Sequence, residues 1–154
     1  MSEIDRSDLE PRFWAKKPMA DLSPREWEAL CDGCGKCCMN KLEDEEQTVA
    51  LTCVACKLFD DETCLCGNYM TRHRYVPECI VMTPETLREH LYWLPQTCAY
   101  RLVHEGRPLY DWHPLVSGDP MSVHRAGVSM RHRTYSETTV NEDDWDDYII
   151  EEPV

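Results

Sequence analysis

Residues 31–38 read Cys-Asp-Gly-Cys-Gly-Lys-Cys-Cys, and this run decides what kind of domain the chain forms. Two residues separate its first three cysteines, so a tight turn can direct two sulfurs at one ion while backbone N–H groups donate to the thiolates. Gly33 and Gly35 suit such turns, because glycine tolerates positive φ and a close approach of the backbone. The run therefore indicates a metal-binding loop.

The other six of the ten cysteines lie downstream of this run: Cys53, Cys56, Cys64, Cys66, Cys79 and Cys98. A single C-x-x-C pair is a weak indication, whereas three ligand pairs within 36 residues strongly favour metal ligation over a set of buried apolar thiols. Ten thiols exceed what one four-coordinate site uses, so we expect two sites or one polynuclear site.

Cys37 and Cys38 are adjacent, and neighbouring side chains of an extended backbone point to opposite faces. The simpler hypothesis is that they serve two adjacent sites; the alternative is that one is a ligand and the other packs. The cysteine pattern does not determine which metal is bound, since thiolate-rich sites suit zinc, iron, iron–sulfur clusters and Cu(I). The first three cysteines repeat the C-x2-C-x2-C core of bacterial ferredoxins, but no Cys-Pro follows at the usual fourth place.

The composition describes one domain with a thin aliphatic core. Leu, Ile, Val and Phe make up 29 of 154 residues and the formal net charge is −13, yet five Trp, seven Tyr and ten Cys indicate a folded chain. No apolar run approaches the roughly 18 residues of a membrane span. The 29 acidic against 16 basic residues disfavour duplex binding, so we expect neither membrane nor nucleic acid as a partner.

The first eight residues are acidic and lack the apolar segment of a secretory signal, which predicts a cytoplasmic protein. Thiols stay reduced in the cytoplasm. Ten cysteines there are better interpreted as metal ligands than as five disulfides.

The chain as a whole predicts a small irregular α+β single domain, stapled by metal, with a few short helices and short strands. We expect residues 1–20 to form a loosely attached leader with Phe13 and Trp14 as anchors, residues 21–140 to form the cysteine-cluster domain, and residues 141–154 to form an acidic helix or tail. Asn141 is suited to cap a short helix through Ile150.

Two helices have clear start signals. Ser23-Pro24-Arg25-Glu26 is a capping box and predicts a helix to about Cys31. Thr83-Pro84 predicts a second helix, with an apolar face ending at Pro95. Alternation at Val49 and Leu51 predicts a strand, and residues 128–135 predict another.

Several segments together resemble the YkgJ-type cysteine-cluster proteins, the C-x-x-C-x-x-C-C family described as zinc- or iron-chelating, and more narrowly its YcgN branch, the bacterial UPF0260 proteins. Besides 31–38, the matching positions are 26–28, Leu30, 54–56, Cys64, Cys66, 68–69, Cys79, 93–95, 97–102 and 112–115. The resemblance covers roughly residues 22–135. It implies cytosolic bacterial proteins that chelate a metal through a cysteine cluster, and it assigns no reaction.

The candidate metal ligands are nine cysteines and one histidine: Cys31, Cys34, Cys37, Cys38, Cys56, Cys64, Cys66, Cys79, Cys98 and His113. Cys53 ranks below them, since it lies outside the family pattern. We therefore expect Cys34→Ser or Cys64→Ser to lower bound metal sharply and Cys53→Ser to change it little. His113, held between Trp112 and Pro114, is interpreted as a mixed ligand or a donor to a thiolate, or as a hydrogen-bonded loop anchor.

The leading functional hypothesis is a protein that chelates zinc or iron, including an iron–sulfur cluster, through cysteine thiolates. The second is an iron–sulfur or thiol-redox enzyme. The third is a zinc-stapled interaction module whose acidic faces dock onto a protein partner with a basic surface.

Overall fold

The computed structural model describes residues 4–46, 48–67, 69–77, 79 and 82–150. Its main sheet has three strands in the order β1-β2-β5. Strand β1 (Met39–Glu43) runs antiparallel to β2 (Val49–Ala55), and β5 (Tyr135–Ser136) is parallel to β2. A second sheet pairs β3 (Phe59–Asp60) with β4 (Leu65–Cys66) in antiparallel fashion. Both sheets are short and directly adjoin cysteines.

Strand β2 confirms the strand predicted from Val49 and Leu51. Leu51 and Val54 are fully buried, and the buried Thr52 hydroxyl donates to the Asn40 carbonyl at 2.6 Å. The register pairs Met39 with Ala55. One residue beyond that pair, the Cys56 N–H donates to the Cys38 carbonyl at 2.8 Å, so strand pairing brings two distant cysteines together.

The first predicted helix is α2 (Pro24–Ala29), and its capping box is present. The Ser23 hydroxyl accepts from the Glu26 N–H at 3.1 Å, and the Glu26 carboxylate accepts from the Ser23 N–H at 2.9 Å. The helix ends before Cys31, because the N–H groups of Leu30 and Cys31 bond to carbonyls three residues back, which tightens the last turn.

The second predicted helix begins later than Pro84. Residues 84–86 form turns, followed by α4 (Leu87–His90) and a 3₁₀ turn (Leu91–Trp93). The hydroxyls of Thr83 and Thr86 bond each other's backbone N–H groups at 3.2 and 2.9 Å, so Thr83 acts as a cap but the first turn stays irregular. The apolar face is confirmed, since Leu87 and Leu94 are buried.

The strand predicted over residues 128–135 is wrong except at its last residue, where β5 begins. The backbone donors of this segment go to separate loops instead of one neighbouring strand. The Met130 N–H donates to the Cys34 carbonyl at 2.8 Å, and the His132 N–H donates to the Asp61 side chain at 2.9 Å. Such scattered pairing anchors the cysteine loops but cannot build a ladder.

The C-terminal helix is a 3₁₀ helix over Glu142–Tyr148, capped by Asn141, whose side chain accepts from the Asp143 N–H at 3.0 Å. It stops before the predicted end at Ile150, because the Ile150 N–H donates instead to the Leu51 carbonyl at 2.9 Å. The end of the described chain thus docks against β2.

A hydrophobic cluster around Phe13, Trp27, Leu30 and Tyr100 positions two cysteines. The Tyr100 hydroxyl donates to the Trp27 carbonyl at 2.7 Å, and the two rings lie 4.7 Å apart. Cys31 and Cys98 pack against this cluster. Phe13 is fully buried in α1 (Phe13–Lys16), so the predicted anchor contacts the core. The domain boundaries at residues 20 and 140 stay predictions.

The remaining helices are short: α3 (Arg72–Tyr75), α5 (Ala99–His104), α6 (Pro114–Ser117), α7 (Ser122–Arg125) and 3₁₀ turns at Met19–Asp21, Lys36–Cys38 and Tyr69–Thr71. The architecture is the small, irregular α+β single domain that the sequence predicts. None of the helices in the described ranges has the length and apolar character needed to cross a bilayer.

Candidate metal centre

Four thiols form what we call the first group: Cys31, Cys34, Cys37 and Cys98. They come from the turn that follows α2, the loop after it, the 3₁₀ turn Lys36–Cys38 and the residue that precedes α5. Burial raises the pKa values of Cys31, Cys34 and Cys98, that of Cys98 to about 12. The negative charges of Asp32 and Cys37 act in the same direction. Effects of this kind indicate that the four residues lie in the same region of the fold.

A second group comprises Cys38, Cys56, Cys66 and Cys79. A hydrogen bond to Cys37, followed by burial, raises the pKa of Cys38, and the charges of Cys56 and Cys66 act in the same direction. Burial also raises the pKa values of Cys56 and Cys79, each with a contribution from Cys66. The second group is therefore also a set of mutually interacting thiols.

Local structure explains how the second group assembles. The β1–β2 register places Cys56 beside Cys38, and Cys66 pairs with Phe59 across the β3–β4 hairpin. The His73 ring donates from Nε2 to the Cys79 carbonyl at 3.0 Å, which ties Cys79 to α3. These four cysteines thus come from four separate positions in the chain.

Cys37 connects the two groups. Its side chain is exposed, and the Cys38 thiol donates to it, which, with help from the Lys41 ammonium, lowers the pKa of Cys37 to about 7. Its charge acts on Cys31 in the first group and on Cys79 in the second. This position agrees with the hypothesis that the adjacent residues Cys37 and Cys38 serve two adjacent sites.

Lys41 is a residue that the sequence analysis missed. Its ammonium donates to the carbonyls of Lys36 and Met39 at 3.2 and 3.0 Å and lies 5.6 Å from the centre of the Trp93 ring. Burial lowers the pKa of Lys41, while thiolates of both groups act against that shift. The only sequence signal was a basic residue two positions into β1, close to the vicinal cysteines.

Cys64 and Cys53 have different surroundings from the eight grouped thiols. Cys64 is buried beside Ser129, and burial raises its pKa to about 11. It packs on Gly35, where φ is +80° and an added Cβ would lie 2.8 Å from the Phe59 ring, so only glycine fits. Cys53 packs in the cluster around Met39 and Met130. That Cys64 is a ligand stays a prediction.

Both ring nitrogens of His113 are engaged by the backbone. Nδ1 accepts from the Leu115 N–H at 3.0 Å and thereby caps α6, and Nε2 lies 2.7 Å from the Leu30 carbonyl, to which it donates. Burial lowers the pKa of His113, which favours the neutral ring that this pairing requires. These contacts favour the loop-anchor interpretation over a ligand role.

We expect His113→Ala to destabilise the metal-loaded protein by about 2–4 kcal/mol without lowering its metal content. The substitution removes a helix cap and leaves the buried Leu30 carbonyl unpaired. Urea unfolding measures the loss. His113→Asn can still cap the Leu115 N–H and should recover about 1 kcal/mol of it. A fall in bound metal would instead make His113 a ligand.

The donor set fits zinc or iron in its chemistry. Backbone N–H groups two residues further along favour the thiolate at three cysteines: Gly33 at Cys31, Lys36 at Cys34 and Leu58 at Cys56. With their present side-chain orientations, no three Cys, His, Asp or Glu residues of the described ranges converge on one point. Binding therefore requires the grouped thiols to rotate inward and lose their protons.

Comparison with known proteins gives a match over the segment that contains the cysteines. A family model described as "Putative zinc- or iron-chelating domain" matches residues 30–99. A UPF0260 protein of Rhodobacter capsulatus is 58% identical over 147 residues, 95% of this chain and 98% of its own. UPF0260 proteins of Cellvibrio japonicus and Rhizobium etli are 55% and 51% identical, covering 90% and 92% of this chain and 94% and 90% of their own.

No solved structure matches the chain. The sequence relatives cover nearly all of it, including both cysteine groups, at identities far above what chance gives. They confirm the resemblance drawn from the cysteine motifs, and the chain belongs to the UPF0260 family.

Proposed function

We propose that this protein binds zinc or iron through two adjacent groups of four cysteine thiolates, Cys31, Cys34, Cys37 and Cys98 in one and Cys38, Cys56, Cys66 and Cys79 in the other. The observation that carries the proposal is geometric: the Cys56 N–H bonds to the Cys38 carbonyl at 2.8 Å, and Cys31 and Cys98 pack on one buried cluster. Electrostatic effects among the thiols support the same grouping. Four thiolates are the number that a tetrahedral zinc or iron ion takes.

The chain's own residues prepare the thiols for binding. Cys37, the exposed thiol whose pKa is about 7, is partly deprotonated at neutral pH and is suited to make the first contact with an incoming ion. Lys41 places a cation near both groups and offsets part of the thiolate charge. Arg72 does the same beside Cys79. When bound, the metal would cross-link distant segments and, if it is iron, would supply one-electron chemistry.

Metal analysis of anaerobically purified protein tests the proposal. We expect about two metal ions per chain, because each four-thiol group completes one site. Colourless protein with stoichiometric zinc identifies zinc sites. A ratio near one would remove the two-site version, and protein that retains no zinc or iron after anaerobic purification and reconstitution would overturn the proposal.

A second candidate function is an iron–sulfur or thiol-redox protein that moves electrons. The observation that favours it is the exposed, partly ionised Cys37 with the Cys38 thiol hydrogen-bonded to it, since a low pKa and a neighbouring thiol are typical of redox-active cysteines. Brown protein whose thiolate-to-iron absorption is bleached by dithionite would support this function.

A further inference from the structure

One oxygen of the buried Asp32 carboxylate has no role in the two thiol groups described above. The residue is only 5% exposed, and its Oδ1 accepts a hydrogen bond from the Cys34 N–H at 2.9 Å. Its Oδ2 is buried and has no hydrogen-bond partner among the described residues. An unsatisfied buried carboxylate oxygen is costly, and in a native fold it indicates a missing partner such as a bound ion.

The position of Asp32 indicates that its missing partner is an ion bound by the first group. It stands between Cys31 and Cys34 in one turn, and the bond to the Cys34 N–H fixes Oδ1 and leaves Oδ2 for another partner. Its charge acts on every thiol of the first group, including Cys98 from the start of α5. Asp32 therefore lies in the same region of the fold as the first group, in the turn that carries two of its cysteines.

We propose that Asp32 Oδ2 is an oxygen ligand of the first group, which makes that site a mixed sulfur–oxygen site beside an all-sulfur second site. The inference rests on the proposed function. With Asp32 the first group has five donors, so a four-coordinate ion can be held while Cys37 is shared with the second group. An ion at this place would also pair the buried Oδ2 atom, which has no hydrogen-bond partner among the described residues.

Asp32→Asn is the sharp test. Asparagine keeps an oxygen that accepts from the Cys34 N–H, so the turn is retained, but it places an NH₂ group, which cannot bind a cation, where Oδ2 stood. We expect zinc affinity at one of two sites to fall by about 100-fold, because the loss of partners outside the coordination shell already costs about 10- to 100-fold. Competition with a chromophoric zinc chelator measures both affinities.

X-ray absorption of the zinc-loaded protein supplies an independent readout. Wild-type protein should show an oxygen shell at about 2.0–2.2 Å beside the sulfur shell at about 2.3 Å, and Asp32→Asn should lose the oxygen shell. Asp44→Asn is the matched control, since Asp44 makes the same kind of turn bond, to the Glu46 N–H at 2.9 Å, on the exposed β1–β2 connection. It should leave both measurements unchanged.

The outcomes separate this inference from the proposed function. Two zinc ions with sulfur alone in the wild type, or an Asp32→Asn variant that keeps its oxygen shell and both affinities, would overturn the role of Asp32 and leave the thiolate proposal standing. Failure of the wild type to bind zinc would overturn both. The second site is the internal folding control, since it should stay loaded in Asp32→Asn.

Discussion

A strong chelator that strips the metal is expected to abolish the cooperative thermal transition of this protein. Leu, Ile, Val and Phe supply only 29 of 154 residues, so the aliphatic core is thin. Structural zinc contributes on the order of 10 kcal/mol of apparent binding energy, comparable to the whole stability of an ordinary domain, about 5–15 kcal/mol. The loss of two such ions leaves too little to hold the fold.

The second group shows why the effect should be global. Its thiols come from four positions that are separate along the chain: before β1, after β2, in β4 and after α3. A metal ion bound there would cross-link all four. Circular dichroism during heating, with metal content measured on the same sample, tests the expectation. Readdition of zinc should restore the transition. An unchanged transition after verified metal loss would show that the domain folds without metal.

Cys37→Ser is expected to lower the bound metal more than any other single cysteine substitution. Its thiolate acts on Cys31 in the first group and on Cys79 in the second, and it accepts the hydrogen bond of Cys38. A hydroxyl does not replace a thiolate as a ligand for a soft or borderline ion. We expect the metal-to-protein ratio to fall from about two to about one or less, with weakened retention at the remaining site.

Two further variants make the comparison interpretable. Cys34→Ser should empty the first group alone, and Cys53→Ser should leave both sites filled, because Cys53 packs in the cluster around Met39. If Cys53→Ser loses as much metal as Cys34→Ser, the 53–56 pair is a true ligand pair. If Cys37→Ser costs no more metal than Cys34→Ser, then Cys37 is not shared between the groups.

Cys64→Ser decides between two roles of that residue. A loss of metal equal to that of Cys34→Ser would establish Cys64 as the ligand that the sequence predicts. A lowered melting temperature with full metal content would instead reflect its packing against Gly35 and Ser129. The measurement is metal content and thermal unfolding of the same preparation.

Local sequence signals predicted the elements whose bonds close within a few residues. The capping box at Ser23 and Glu26 and the cap at Asn141 are present because donor and acceptor lie two or three residues apart. The strand around Leu51 is present where the sequence analysis placed it from Val49 and Leu51, although burial along β2 does not alternate. The strand expected over residues 128–135 fails for the opposite reason: its backbone partners, such as Cys34 and Asp61, lie far away in the chain.

By itself, the sequence determined the chemistry of this protein: the spacing of its cysteines specifies turns that present thiolates in pairs, and it also marks the family. Only the tertiary structure decided which cysteines lie near one another, since Cys31 and Cys98 pack on the cluster that holds the Tyr100–Trp27 contact and Cys56 lies beside Cys38 through strand register. The structure alone also decided that the Asp32 carboxylate is buried without a partner at Oδ2. Spacing governs contacts within one turn, whereas burial and long-range proximity depend on how all segments pack.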